Sequence, residues 1–316
     1  MSKRTLTIVS PVYNEEEGIR DFYESLKPEL AKLSGYTSDI IFVVDRCSDN
    51  TLEILKDIAK EDPTVRILGL SSRFGYQMSQ LAGIDHAKGD AVVTMDSDGQ
   101  NPPSLLPELL AEFEKGAHIV HGIRKDTQGL SAMRKIQSNL FYWLINKISD
   151  VPIIPNASDY RLISQKVATV LREKIRERNL FLRGIFSWVG FKQARVPFVA
   201  PPRTKGTTKF SMSRLIQFAL LSLVSFSRKP LRAATAVGAL FALLGFLFAV
   251  ATVVQYMLGA IKEPGYSTVI VMLAIFGGVQ LMCMGVIGEY IGAIFDEVKA
   301  RPHYIVEEAV NIEEKI

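Results

Sequence analysis

Cysteine is scarce in this chain of 316 residues: there are two, Cys47 and Cys283. A disulfide-stapled secreted fold and a cysteine-based zinc site both need more. Cys47 falls in a mixed-polarity region and Cys283 in an apolar stretch, so the two are not expected to pair. The four histidines, His86, His118, His121 and His303, lack metal-ligand spacing. No long apolar leader precedes Pro11, so no cleaved signal peptide is expected. A dense basic face is also missing: the formal net charge is +4, too small a surplus for a nucleic-acid binder. Charge itself is absent from two long stretches, 29 residues between Arg232 and Lys262 and 25 between Glu263 and Glu289. A bilayer core needs about 20 apolar residues as helix. Both gaps exceed that, which excludes a purely soluble protein. With 48% hydrophobic residues the chain is too apolar to be disordered, and its unbroken apolar runs exclude a porin-like barrel.

What is present divides the chain in two. Up to about residue 200, short apolar runs alternate with helix-like segments. Strands are expected at Leu6–Ser10, Asp39–Val44, Val65–Leu70, Ala91–Met95 and His118–Gly122. Helices are expected over Glu15–Leu33, after a cap at Asp49-Asn50-Thr51, over Gln77–Ala87 and over Pro103–Lys115. Strands that are apolar throughout imply a mostly parallel α/β sheet covered on both faces, with ligands at the carboxyl ends of the strands.

The second part begins near Pro201. Residues 210–229 are apolar with serines and a single charge before position 228, Arg214, and read as an interfacial amphipathic helix or as the approach to a span. Two membrane helices follow, near 232–258 and 267–294, within a segment 230–298. Basic residues Arg228, Lys229, Arg232, Lys299 and Arg301 flank them, while the intervening bend carries one Lys and one Glu. The positive-inside rule then places both termini and the large domain on the cytosolic side of the cell (inner) membrane. Glycine spacings in the second span, such as Gly288 and Gly292, read as helix-packing positions. The tail, 299–316, holds Tyr304-Ile305-Val306 before an acidic run. It can supply an added strand between subunits, which hints at a homo-oligomer.

The sharpest chemical signal is Asp96-Ser97-Asp98-Gly99-Gln100, directly after an expected strand. Carboxylates at i and i+2 on such a loop can share a hard divalent cation whose open positions take phosphate oxygens. A solvated acidic turn is the alternative.

The surrounding motifs decide between them. Val9-Ser10-Pro11-Val12-Tyr13-Asn14-Glu15-Glu16, then Arg73-Phe74-Gly75, Ala82-Gly83-Ile84, Gly89-Asp90, Asp96-Ser97-Asp98, Gln100, Pro102 and Pro103 resemble, in order, the family 2 glycosyltransferases with the GT-A fold. With two C-terminal spans attached, the chain is similar to the polyprenyl-phosphate glycosyltransferases, nearest to the bactoprenol glucosyltransferases and similar also to the dolichol-phosphate mannose synthases. One departure stands out. Where the family has two adjacent Asp residues and a Gly, this chain reads Val44-Asp45-Arg46.

The resemblance implies a GT-A domain over 1–209. Pro11, Tyr13, Glu15 and Asp45 would line the nucleotide pocket, Asp96 and Ser97 the ribose and diphosphate, and Arg124 would approach the diphosphate. Asp98, with Asp96 and Gln100, would hold Mg2+ or Mn2+. For Asp45 the competing reading is a loop carboxylate capping the next helix. Asp159, in Ser158-Asp159-Tyr160-Arg161, matches the acceptor-side acid, a general base or an orienting group; the competing reading is an N-cap of a helix from Tyr160. Arg183, Arg203 and Lys209 would grip the acceptor phosphate, the last two in a loop that also reads as a basic membrane-facing segment. The implied activity is inverting transfer of glucose from UDP-glucose to undecaprenyl phosphate. The rivals are GDP-mannose:dolichyl-phosphate mannosyl transfer and a non-catalytic lipid-handling scaffold, which the Val44-Asp45-Arg46 departure alone supports.

Overall fold

The computed structural model describes residues 3–125, 154, 157–201, 227, 229–258 and 265–312. In chain order the elements are β1 (Arg4–Val12), α1 (Ile19–Ala31), β2 (Tyr36–Val44), α2 (Thr51–Glu61), β3 (Val65–Leu70), α3 (Tyr76–His86) and β4 (Ala91–Thr94). A 3-10 turn at Pro103–Leu105 leads into α4 (Leu106–Glu114), then β5 (Ile119–Lys125), β6 (Ala157–Ser164), α5 (Gln165–Lys174), α6 (Leu182–Trp188) and β7 (Gln193–Val199). The chain ends with α7 (Lys229–Met257), α8 (Tyr266–Lys299) and β8 (Val306–Val310).

One eight-stranded sheet runs β7-β5-β6-β4-β1-β2-β3-β8. Its centre, β4-β1-β2-β3, is parallel, and β5 and β7 are parallel to each other. Strand β6 is antiparallel to both β4 and β5, and β8 antiparallel to β3. The expected mostly parallel α/β architecture is therefore present. Its strands are buried on both sides because side chains alternate between faces. Ile40 and Phe42 of β2 join the cluster of Phe22, Leu26, Leu55 and Leu109 from α1, α2 and α4. Ile41 and Val43 face the other cluster, with Leu81, Ile84, Val167, Leu171 and Phe186 from α3, α5 and α6. Helix α3 lies unusually close to the sheet. A Cβ at Gly83 would sit 2.2 Å from Val9 Cγ1, so that position admits only glycine.

Three readings change. Ser158 and Asp159 lie in β6, so Tyr160 does not start a helix. The helix begins at Gln165 instead, capped by the Ser164 hydroxyl, which accepts from Val167 N–H. The tail strand pairs with β3 of its own chain, so an intermolecular partner is not needed to explain it. Among the described residues the glycines singled out in α8 make no packing contact: a Cβ at Gly288 or Gly292 would meet nothing within 4 Å.

Helices α7 and α8 are long and apolar enough to cross a membrane. They pack as a hairpin through the Phe241 and Phe276 rings, 5.9 Å apart and edge-to-face. Gly245 faces Phe276 at the same crossing. Tyr290 Oη donates to the Ser227 carbonyl (2.6 Å), tying α8 to a residue two positions before α7. The interfacial helix expected at 210–229 lies outside the described residues apart from Ser227 and Lys229, as do Arg203 and Lys209.

Candidate active site

The carboxyl ends of β1, β2 and β4 gather the first set of residues. Parallel pairing sets Val12 beside Val44, which brings Tyr13 and Asp45 out at the same edge. Pro11 is buried in β1. Arg73 stacks its guanidinium 4.1 Å from the Tyr13 ring centre. The Glu15 main chain begins a turn, donating to Thr51 Oγ1 and accepting from Ile19 N–H. Asp45 does not cap α2. Its two oxygens accept from the main-chain N–H groups of Phe74 (2.7 Å) and Gly75 (2.9 Å), where the chain enters α3. The expected cap at Asp49 is real: its Oδ1 accepts from Thr51 N–H and Thr51 Oγ1–H.

Arg46 occupies the left-handed region (φ 41°), the conformation that glycine adopts freely. The substitution is accommodated because its guanidinium donates to the Ser71 carbonyl and lies 3.5 Å from Glu307 on β8.

The second set arises from the antiparallel insertion of β6. Its register pairs Thr94 with Arg161 and Val93 with Leu162. Continued past the end of β4, that register sets Asp159 opposite Asp96. Thr94 Oγ1 reinforces it by donating to the Asp159 carbonyl (2.7 Å). Burial, the facing Asp159 carboxylate and the nearby Asp98 together push the Asp96 carboxyl up to about 6, against a hydrogen bond that stabilises its charge. That bond comes from Tyr76 Oη, 2.5 Å away, which in turn accepts from Gln80 Nε2 (2.9 Å).

Asp98 Oδ1 accepts from Gln100 N–H (3.0 Å), closing the loop on itself. Gln100 turns its Oε1 to Arg124 Nη2 (2.9 Å). Ser97 is buried between the two acids. Among the described residues no three His, Cys, Asp or Glu side chains are gathered for an ion. Asp96 and Asp98 nevertheless supply hard oxygen donors, and a divalent cation would relieve the repulsion from Asp159 and Asp98 that adds to burial in raising Asp96. Such an ion would take its remaining ligands from phosphate oxygens.

Asp159 is bound bidentately by Arg183, Nε to Oδ1 at 3.0 Å and Nη2 to Oδ2 at 2.6 Å. Arg161, buried against the Phe186 ring, stands 3.7 Å from Oδ1. Burial alone would raise the Asp159 carboxyl, but the charge and hydrogen bonds of Arg183, with the charge of Arg161, hold it below the usual carboxylate range. Asp159 and Arg183 border a cavity of about 270 Å³ whose walls are Phe74–Met78 and Arg178–Phe181. Tyr76 therefore touches both the Asp96 loop and this cavity.

The motifs did not single out Tyr76, Thr94, Arg178 or His303. Tyr76 directly follows Arg73-Phe74-Gly75, a position that the motif points to. The others are brought in by strand register and by the return of the tail, which local sequence does not carry.

A loop with two acids lies at the carboxyl edge of the parallel strands and faces a mostly buried aspartate paired with an exposed arginine. Residues 7–171 match the family described as Glycosyl transferase family 2, and 229–294 match the GtrB C-terminal hairpin. The chain belongs to glycosyl transferase family 2, and it is a glycosyltransferase. It is 37% identical over 309 residues to the uncharacterized glycosyltransferase YkcC of Bacillus subtilis, covering 98% of this chain and 95% of that one. It is 38% identical over 304 residues to the SfII prophage-derived bactoprenol glucosyl transferase of Shigella flexneri, covering 96% and 98%. Among solved structures, the mannosyltransferase PcManGT from Pyrobaculum calidifontis, in complex with GDP-Man and Mn2+, aligns with a TM-score of 0.48 at 14% identity, over 94% of this chain and 88% of that one.

Proposed function

We propose that this enzyme transfers glucose from UDP-glucose to undecaprenyl phosphate at the cytosolic face of the cell membrane, with inversion at the anomeric carbon. The observation that carries the reading is the register of β4 and β6, which sets the acidic loop of Asp96 and Asp98 against the Asp159–Arg183 pair. A donor diphosphate and an anionic acceptor would meet across that gap. The bactoprenol glucosyl transferase named above, matched along nearly its whole length, supports the lipid and the sugar. Helices α7 and α8 would hold the domain on the bilayer where the lipid resides.

Pro11, Tyr13, Glu15 and Asp45 would line the nucleotide, with Arg73 closing over Tyr13. Ser97 and Arg124 would approach the ribose and diphosphate. Asp96 and Asp98, with Gln100 once released from Arg124, would hold Mg2+ or Mn2+, which supplies neutralisation of the charge developing on the departing nucleoside diphosphate.

An acceptor phosphate oxygen attacks the anomeric carbon as the bond to the diphosphate breaks, and the leaving group keeps the electron pair. No proton has to be removed, because the phosphate is already ionised near neutral pH. Asp159, held in its charged form by Arg183, is a poor proton acceptor and acts here by fixing the Arg183 guanidinium. Arg203 and Lys209 would add charge around the same phosphate. A homo-oligomer remains part of the proposal, although the tail strand is already used within the chain.

The test is transfer of radiolabelled sugar into the organic phase. Purified protein, undecaprenyl phosphate and Mn2+ would be combined with UDP-glucose, UDP-N-acetylglucosamine or GDP-mannose, with Asp98→Asn as control. Label extracted only with UDP-glucose and lost in Asp98→Asn is the expected result. Label from GDP-mannose would overturn the donor assignment, and no label from any donor would overturn the activity.

A further inference from the structure

The cavity beside Asp159 holds two arginines with different partners. Arg183 is committed to Asp159 by two hydrogen bonds. Arg178 also lines the cavity, but among the described residues no carboxylate ion-pairs with its guanidinium. Two arginines against one aspartate leave the lining one positive charge in excess. Phe74, Met78, Leu180 and Phe181 supply apolar surface around it. A phosphate carrying a hydrocarbon chain matches both features.

Arg178 is held by the end of α8 and the segment after it. Its main-chain N–H donates to Glu297 Oε2 near the end of α8 (2.8 Å). Its Nη1 lies 3.0 Å from His303 Nδ1, and His303 Nε2 lies 2.9 Å from the Glu177 carbonyl oxygen. A carbonyl can only accept, so Nε2 carries the hydrogen and Nδ1 presents its lone pair to Arg178. Neutral histidine in this one tautomer satisfies both contacts. Burial and the neighbouring Arg176 and Arg178 lower its pKa, against the Glu177 bond and the Asp85 charge, which keeps it neutral. Next to it, Tyr304 Oη donates to Asp85 Oδ2 (2.8 Å), and Arg176 Nη1 donates to both Asp85 oxygens (3.0 and 2.8 Å). The cavity wall is thus pinned at Arg178 by the end of α8 and the residue His303 beyond it, and the neighbouring Arg176 is tied through Asp85 to Tyr304.

We propose that Arg178 is a further anion-binding residue of this cavity, that its ligand is the phosphate of the lipid acceptor, and that His303 is the positioning residue that orients it. The proposal rests on the acceptor reading given above. Phosphate chemistry is shared with the donor diphosphate, so the test must separate the two.

Initial rates of the full-length enzyme in detergent would be measured with undecaprenyl phosphate varied at saturating UDP-glucose, and then the reverse. In Arg178→Ala, KM for the lipid is expected to rise roughly 10-fold or more, the loss of a hydrogen bond to a charged group, with KM for UDP-glucose nearly unchanged. Arg178→Lys keeps the charge without the planar fork and should fall between. His303→Ala should raise the lipid KM by less, again sparing the donor. An unchanged lipid KM in Arg178→Ala overturns the proposal, and a rise confined to UDP-glucose overturns it in favour of the donor diphosphate. Should Arg178→Ala lower the melting midpoint, Arg178→Lys decides by the same criterion. Wild-type protein that labels no lipid at all would instead sink the underlying reading.

Discussion

Tyr76 and Asp96 are joined by a 2.5 Å hydrogen bond that crosses from the start of α3 to the acidic loop after β4. Gln80, one turn along α3, donates to the same hydroxyl, so the phenol is fixed in direction. Tyr76→Phe removes the donor without changing the ring. A hydrogen bond to a charged group contributes about 1.5–3 kcal/mol, so kcat/KM for the nucleotide sugar should fall by about 10-fold or more. Steady-state kinetics with each substrate varied in turn would check it. Unchanged donor kinetics would show that Asp96 is placed without Tyr76.

The Asp159–Arg183 pair predicts a coupled loss. Arg183→Ala leaves a mostly buried carboxylate without its main partner, and Asp159→Asn leaves the guanidinium unfixed. Each single change should lower transfer strongly, and the double change should cost clearly less than the sum of the two. A double-mutant cycle on transfer rates measures this. The loss in Asp159→Asn should be similar across the neutral pH range. A loss that disappears on one side of a single titration would restore Asp159 as a proton acceptor.

His121 makes stability depend on pH. It is buried in β5, with Nε2 2.9 Å from Gln193 Oε1. Burial and the positive charges of Arg161 and Arg195 lower its pKa to about 4, despite the Gln193 bond. Unfolded, a histidine takes up its proton near pH 6.5. Between these values the unfolded chain binds more protons, so stability falls as pH drops from about 6.5 toward 4. The contribution is at most about 3 kcal/mol. In His121→Gln the acid-side fall of the melting midpoint should flatten relative to wild type; parallel curves would refute it.

Glycines separate by their surroundings. Gly83→Val forces new atoms into Val9 and Val43 and should destabilise the catalytic domain by about 3 kcal/mol or more. Gly288→Ala meets nothing within 4 Å among the described residues and should change stability by no more than the helix-propensity gain of about 1 kcal/mol. Thermal unfolding of both variants in detergent checks the contrast. A large destabilisation at Gly288 would show a contact that the described residues do not make.

The strand–helix alternation is readable because the central strands are buried on both faces and so are mostly apolar. Val65–Leu70 is readable to the residue even though Arg66 interrupts it, a charge matched by Asp39 on the neighbouring strand. Asp96 and Asp98 were legible as a pair because they follow a strand directly. Asp159 was legible as a site residue but not as part of a strand. Ser158 and Asp159 carry capping chemistry, and only the pairing of β6 with β4 decides against it. Asp45 shows the same limit. Its partners, Phe74 and Gly75, are about thirty residues away, at a distance no local pattern encodes. Arg178 and His303 are 125 residues apart and meet only because β8 returns to the sheet.

That return has a mechanical consequence. The membrane hairpin follows β7 and precedes β8, and these two strands form opposite edges of one sheet. A domain hung from one linker can swivel about it and visit the bilayer in many orientations. A domain joined at both margins has lost that rotation, much as a bridge deck fixed at two abutments cannot yaw. The cost in orientational freedom is met once, when the chain folds, rather than at each encounter with a substrate. If, as proposed, one reactant comes from water and the other from the plane of a lipid layer, that fixed attitude raises the share of encounters that are productive.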